Sequence, residues 1–341
     1  MMRFGAGPVR RSLALGLPAA WGAVAITYKL VCPLAQQTGL GARIATSAVF
    51  FAVGAGLVLQ VRRALLSELR QVCEVAGAAQ EALIGPLPPK VDGLGVAAAQ
   101  LSADRGAFLG GDLYDVIATE HGVRVVIGDV RGHGLAAIGT VAAVLGSFRE
   151  AGHDERDLAG VLRRLERALA RHLRQRSGTG ADTGGEDFVT VLLLEIHRDG
   201  DVRALNCGHP WPHLLRDGEV VAAQGAEPLP PLGPFPLPAE LHPVPIGLLL
   251  PGETLFLHTD GVEDARDAHG RFFALGEALR AVVGEGPLPP QAVLGAVYTR
   301  LLRHAGGRPA DDVAMLAVRN ERCAVLPLPG EPVGHRAHHV P

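Results

Sequence analysis

Four acidic positions in the 341-residue chain share one local context. Asp112 follows a glycine pair in GGDLYD, and Asp129 ends the apolar run VRVVIGD. Asp260 ends TLFLHTD and precedes Gly261, while Asp311 and Asp312 open DDVAMLAV. A carboxylate at a strand end, beside a turn that glycine permits, is held rigidly without being buried in a sheet. Taken singly, each reads as a turn former, because Gly and Asp are common in turns. If the strand ends meet at one edge, three or four carboxylates converge, and their repulsion is costly unless cations neutralise it. Oxygen ligands without cysteine or obligatory histidine suit Mg2+ or Mn2+ rather than zinc. Two such ions can share a bridging water, lower its pKa and orient it for in-line attack on phosphorus. The stretch GDVRGHGLAA, residues 128–137, is then either a tight strand-to-helix connection or the mounting of a metal-binding carboxylate.

The elements that must hold these residues come in an uneven order. Gly95–Leu101 and Val123–Val130 read as strands, and Leu135–Ala151 and Leu158–Arg174 as helices, the latter with a basic outer face. Four strand-like pieces follow, Phe188–Ile196, Val202–Cys207, Trp211–Leu215 and Glu219–Ala223, with RDG at 216–218 as a hairpin turn. A strand at Thr254–His258, helices at Leu275–Val283 and Pro290–His304, and a strand at Val313–Val318 complete the series. Strands in consecutive hairpins and helices in pairs predict an α+β fold of antiparallel sheets with helices packed outside, not a Rossmann alternation. Ser177–Glu186 is a flexible loop by composition, and the proline-rich stretch Pro228–Glu240 cannot join a central strand.

Size and charge narrow the class. The chain is long enough for a substantial core, and its net charge of −3 implies no polyelectrolyte partner. Dispersed basic residues and 4% aromatics give no support for nucleic-acid binding. Cys32, Cys73, Cys207 and Cys323 are far apart, which argues against a disulfide framework or a cysteine zinc site. Two uncharged apolar runs, Ser12–Tyr28 and Ile44–Val61, are each at the short end of what spans a bilayer. They read as a two-helix membrane hairpin; a signal peptide and buried core helices are the alternatives. Arg3, Arg10, Arg11, Arg62, Arg63 and Arg70 outnumber Lys29 and Arg43, which places both ends of the hairpin in the cytoplasm. The helical pattern from Arg62 to Ile84 reads as a stalk stopped by GPLPP. Its apolar stripe through Leu66, Leu69, Val72 and Val75 either pairs with a second copy, as a homodimer, or packs on its own domain. The predicted organisation is a membrane hairpin over residues 1–64, a helical stalk over 65–89, a soluble domain over 90–320 and a disordered tail over 321–341. The tail histidines His335, His338 and His339 belong to the last.

The ordered set VAGAAQEALIGPLPP, GGDLYDV, IGDVRGHGLAA, FVTVLLLEI, LNCGHPWPHLLRDG, PLG, LHTDGVEDARDAHGRFF and DDVAMLAV resembles the SpoIIE-like branch of the metal-dependent (PPM) serine/threonine protein phosphatases. The resemblance spans Val75 to Arg319. It implies a sandwich of two antiparallel β-sheets flanked by helix pairs, two Mn2+ or Mg2+ ions, and phosphoserine or phosphothreonine substrates on small regulatory proteins such as anti-sigma-factor antagonists. Asp112 and Asp129 match the family's paired metal ligands, Val130 a residue that offers its backbone carbonyl, and Asp260 and Asp311 the remaining ligands. Asp311 matches better than its neighbour Asp312. Gly132, His133 and Gly134 match the turn after the ligand, and His209 a structural turn. Leu113 and Cys207 depart from the family's usual Trp and Ala, at positions that are not ligands, and no phosphate-binding arginine can be assigned. The implied protein is a multi-pass membrane enzyme with its catalytic domain in the cytoplasm. A catalytically inactive scaffold, or a membrane sensor that binds the same partners, is the alternative.

Overall fold

Residues 122–130 hold a single charged side chain before Asp129, and the strand they form is buried at every position except Asp129. A short run of this kind belongs at the middle of a layered structure. The structure, a computed structural model, describes residues 20–28, 30–31, 39–101, 110–132, 135–177, 188–223, 225–284 and 286–322. Within these, the side chains of residues 40, 42, 43, 69–76, 78, 79, 81, 135 and 177 are outside the description.

The strands are β1 (Lys90–Val91), β2 (Leu94–Leu101), β3 (Asp112–Thr119), β4 (Gly122–Val130), β5 (Val189–Ile196), β6 (Asp201–Cys207), β7 (His213–Arg216), β8 (Glu219–Ala222), β9 (Val244–Leu248), β10 (Thr254–His258) and β11 (Val313–Asn320). The helices are α1 (Leu40–Ile84), α2 (Leu135–Asp154), α3 (Leu158–Ser177), α4 (Leu275–Val283) and α5 (Pro290–His304). One sheet has the order β3-β4-β5-β6-β9 and the other β1-β2-β11-β10-β7-β8, every pairing antiparallel.

Period-two alternation makes the layers. Leu255 and Leu257 of β10, with Ala314, Leu316 and Val318 of β11, enter the large core that also holds β3 to β6 and the buried faces of α2 and α3. Phe256, Val313, Met315 and Ala317 point the other way, into a second cluster with α4 and α5. Helix pairs therefore cover the outer faces of two stacked sheets. Arg124, fully buried on β4, ties the five-stranded sheet to the α2–α3 connection. Its Nε meets Glu195 Oε2 at 2.7 Å, and its other nitrogens donate to the carbonyls of Gly152, Glu155 and Arg156. A buried charge survives only when paired and fully hydrogen-bonded in this way. The β7–β8 hairpin closes through Asp217 (φ 45°) and Gly218 (φ 83°), the two left-handed residues that a two-residue hairpin turn requires.

The structure differs from the sequence reading in several elements. β3 and β9 are strands the hydrophobic pattern does not mark. In β3 the polar positions Asp112 and Asp115 are buried, and Asp115 is neutralised by Arg149 at 2.6 Å. β7 begins at His213 instead of Trp211, since Pro212 has no amide hydrogen to give a ladder. β11 runs on to Asn320. The second apolar run and the stalk are one continuous helix, α1.

The chain divides into two compact units, Met1–Val75 and Ala76–Pro341. In the first, residues 20–28 are helical, Trp21 donates its indole N–H to the Phe50 carbonyl at 3.2 Å, and the two rings lie 5.4 Å apart. Among the described residues one helical stretch, Ile44–Glu68, is long and apolar enough to cross a membrane, and none of it is buried. The two-span expectation thus reduces to one candidate span, with residues 12–19 of the first run outside the described residues. The loop at 178–187, His133, Gly134, Cys32, Cys323 and the tail histidines also lie outside them.

Candidate metal centre

The β3–β4 register sets Asp112 directly opposite Asp129. On the other sheet, the backbone of Thr259 pairs with Ala314, and the Thr259 hydroxyl accepts from the Ala314 amide at 2.9 Å. That hydroxyl donates to Asp112 Oδ2 at 3.3 Å and so joins the two sheets at this end. Asp260 follows immediately and opens a single 3-10 turn, Asp260–Val262. Asp312 accepts from the Gly111 amide at 3.2 Å, which ties the start of β11 to the start of β3. The ends of β3, β4, β10 and β11 therefore meet.

Two glycines make the approach possible. A Cβ on Gly111 would stand 2.3 Å from the Val130 carbonyl oxygen and 2.6 Å from Asp129 Oδ1. Val130 O and an Asp129 oxygen thus flank a point that only a glycine leaves open. A Cβ on Gly261 would stand 1.9 Å from the Asp312 carbonyl oxygen.

The electrostatics show one cluster. Burial, then the charges of Asp129, Asp312 and Asp260, push Asp112 well above the usual carboxylate range, against a lowering contribution from the Thr259 hydroxyl. Burial, then Asp260, Asp311 and Asp312, push Asp129 up to about 7. Asp260 is raised by burial, then by Asp311 and Asp264. Carboxylates that disfavour one another's charge in this way hold either shared protons or cations. Every donor is an oxygen, so the set fits hard divalent ions such as Mg2+ or Mn2+.

The structure brings Asp112, Asp129, Asp260 and Asp311 together and sets the Val130 carbonyl beside Asp129. Of the adjacent pair, Asp311 is exposed and acts on Asp129 and Asp260, whereas Asp312 acts on Asp112 and Asp129. His209 sits in a structural knot beside the cluster, its Nδ1 3.1 Å from the hydroxyl of Thr190, the residue that faces Asp129 across β4 and β5. The His209 amide donates to Asn206 Oδ1 and its carbonyl accepts from Asn206 Nδ2, both at 2.8 Å, and burial, then His258, lowers its pKa to about 3. Gly132 has φ 113°, the left-handed region that the turn after Val130 uses.

Two supporting contacts went unmarked in the sequence. Gln80, buried near the end of α1, binds both the amide and the carbonyl of Gly110, at 3.1 and 2.9 Å. Arg149, paired with Asp115, also donates to the Ile84 carbonyl at 3.0 Å, where α1 ends. A lone glutamine in the helical run VAGAAQEALI was the only sign of the first.

Comparison with known proteins matches this architecture. A profile of the family Stage II sporulation protein E (SpoIIE) matches residues 119–321. The SiaA-PP2C domain of Pseudomonas aeruginosa is 21% identical with a TM-score of 0.59, covering 75% of this chain and 98% of that one. The RsbU and RsbW domains of Rv1364c from Mycobacterium tuberculosis are 22% identical with a TM-score of 0.53, covering 67% of this chain and 60% of that one. The PP2C phosphatase domain of SpoIIE from Bacillus subtilis, with a fragment of its regulatory domain, is 18% identical with a TM-score of 0.50, covering 66% and 62%. The chain thus spans less than two thirds of the length of the last two, and at these identities the likeness is one of fold.

Proposed function

The chain belongs to the SpoIIE family, within the PPM-type phosphatase fold, and from that membership we propose that it is a divalent-metal-dependent protein serine/threonine phosphatase. The observation that carries this reading is the meeting of Asp112, Asp129, Asp260, Asp311 and Asp312 at one end of both sheets. Asp112, Asp129, Asp260 and Asp311, with the Val130 carbonyl, would hold two ions, Mn2+ or Mg2+. Bound there, the ions supply a water of lowered pKa and neutralise charge on the phosphoryl oxygens. The protein's part is to fix the donors. Thr259 orients Asp112 across the two sheets, Gly111 admits Val130 and Asp129 to one point, and Asp312 braces the glycine pair that Gln80 holds from behind.

The substrate class in this reading is a phosphorylated regulatory protein of the anti-sigma-factor-antagonist type. The apolar stretch Ile44–Glu68, whose Val49, Phe51 and Val58 are exposed, anchors the enzyme in a membrane with the catalytic domain on the cytoplasmic side. The stalk segment of α1 serves as the surface for a homodimer.

The test is release of phosphate by the purified full chain from phosphoserine and phosphothreonine proteins, against a phosphotyrosine peptide. The reading requires release from the first two with Mn2+, arrest by EDTA, and little release from the third. Release that EDTA leaves untouched contradicts it.

A further inference from the structure

The outer face of the six-stranded sheet carries a second polar cluster. Phe256 points to this face, in the core with α4 and α5. By strand alternation His258 shares it, and so does His213, which pairs with Phe256 across β7 and β10. The two imidazoles stack with centroids 5.6 Å apart. Glu263, at the end of the turn that Asp260 opens, reaches the same place. One ligand atom from each of His213, His258 and Glu263 lies within 4.8 Å of the other two.

We propose that His213, His258 and Glu263 bind a borderline divalent cation, Zn2+ by their chemistry, at a site separate from the aspartate cluster. Two imidazoles and a carboxylate are a zinc donor set that leaves a fourth position for water, whereas Mg2+ selects oxygen alone. His258 is 2% exposed and its Nδ1 meets the Thr259 carbonyl at 3.1 Å. A carbonyl can only accept, so Nδ1 carries the hydrogen and Nε2 keeps its lone pair. A backbone carbonyl behind the ring is the usual support of a metal-ligating histidine.

The other two side chains are uncommitted. Nδ1 of His213 is buried with no hydrogen-bond partner among the described residues. No hydrogen bond or salt bridge occupies the exposed Glu263 carboxylate among them. Ligands about 2.1 Å from one zinc ion stand ~3.4 Å apart in a tetrahedron, so side-chain adjustments of about an ångström close the site. The ion would fasten β7 to the turn that carries Asp260.

The experiment titrates the metal-stripped full chain with Co2+, in wild type and in Asp129→Asn. The expected signal is the intense visible absorption of four-coordinate, nitrogen-ligated Co2+, displaced by Zn2+, resistant to Mg2+ and unchanged in Asp129→Asn. His213→Gln and the fold-neutral, exposed Glu263→Gln should each weaken Co2+ binding by roughly tenfold or more. An absent band in wild type, a band undiminished in both variants, or a band lost in Asp129→Asn would overturn the assignment. Mn2+-dependent phosphate release by the same wild-type sample reads the aspartate cluster independently, so either assignment can fail without the other.

Discussion

Replacing Gly111 by alanine perturbs the aspartate cluster without removing a carboxylate. The new Cβ would lie 2.3 Å from the Val130 carbonyl oxygen and 2.6 Å from Asp129 Oδ1, where contacts below 3.0 Å are essentially never found. The β3–β4 pair must therefore open by at least ~0.7 Å at the position where Asp112 faces Asp129. The Val130 amide bond to the Gly111 carbonyl, 3.1 Å long, lies in the path of that opening. A misplacement near 1 Å can cost about 10²-fold in rate, or ~2.7 kcal/mol of barrier. Overpacking of this kind costs ~1–3 kcal/mol of stability, and each kcal/mol lowers Tm by ~2–4 °C in a domain of this size. The assay is phosphate release by the full chain at saturating Mn2+, with circular dichroism to establish folding. Gly146→Ala is the control, because its Cβ enters open space on α2, where alanine gains ~0.5–1 kcal/mol over glycine. A folded Gly111→Ala protein with the wild-type rate refutes the reasoning, as does an equal loss in Gly146→Ala.

The raised pKa of Asp129, about 7 folded against ~3.9 unfolded, means that between these values the native state keeps a proton the unfolded state has released. The contribution of this group to metal-free stability is therefore fullest below about pH 4 and is lost as pH rises through about 7, by on the order of 4 kcal/mol. Asp129→Asn should flatten that fall in urea titrations at several pH values while abolishing phosphate release; an unchanged slope would contradict the electrostatic account. Arg124→Met leaves the buried Glu195 only His197, at 3.3 Å, as an ion-pair partner among the described residues and strands three carbonyls, and should cost ~3–5 kcal/mol in equilibrium denaturation. A loss below about 1 kcal/mol would show that this pair does not pin α2 and α3. The expressed full chain should sediment with membranes and be released by detergent but not by high salt, and release by salt would rule out the span at Ile44–Glu68.

What the sequence shows most clearly is the scaffold of the aspartate cluster. Asp129 and Asp260 end apolar runs and Asp311 opens one, so their placement at strand ends follows from local pattern alone, and the uneven order of elements points to antiparallel sheets. Asp112 is different. Its strand carries two buried carboxylates, which breaks the alternation that marks strands, and only the pairing with Asp129 and the Arg149 partner of Asp115 explain it. Gln80 escaped because its role is set by Gly110, thirty residues away, to which helix periodicity gives no clue. The grouping of His213, His258 and Glu263 likewise arises from strand register, with His213 brought beside β10 by a pairing that no local motif encodes. Asp312 reads as a duplicate of Asp311 until the fold directs one toward Asp260 and the other toward Asp112.

The central claim is that the converging aspartates make phosphate release depend on bound divalent metal. Its most direct measurement is phosphate release from a phosphoserine regulatory protein by the metal-stripped full chain as Mn2+ is added back, in wild type and in Asp260→Asn. The account predicts no release before addition, a rate that rises with Mn2+ in wild type, and a loss in Asp260→Asn on the order of 10³-fold with the fold intact. Full release from the stripped chain, or a wild-type rate in Asp260→Asn, would contradict it.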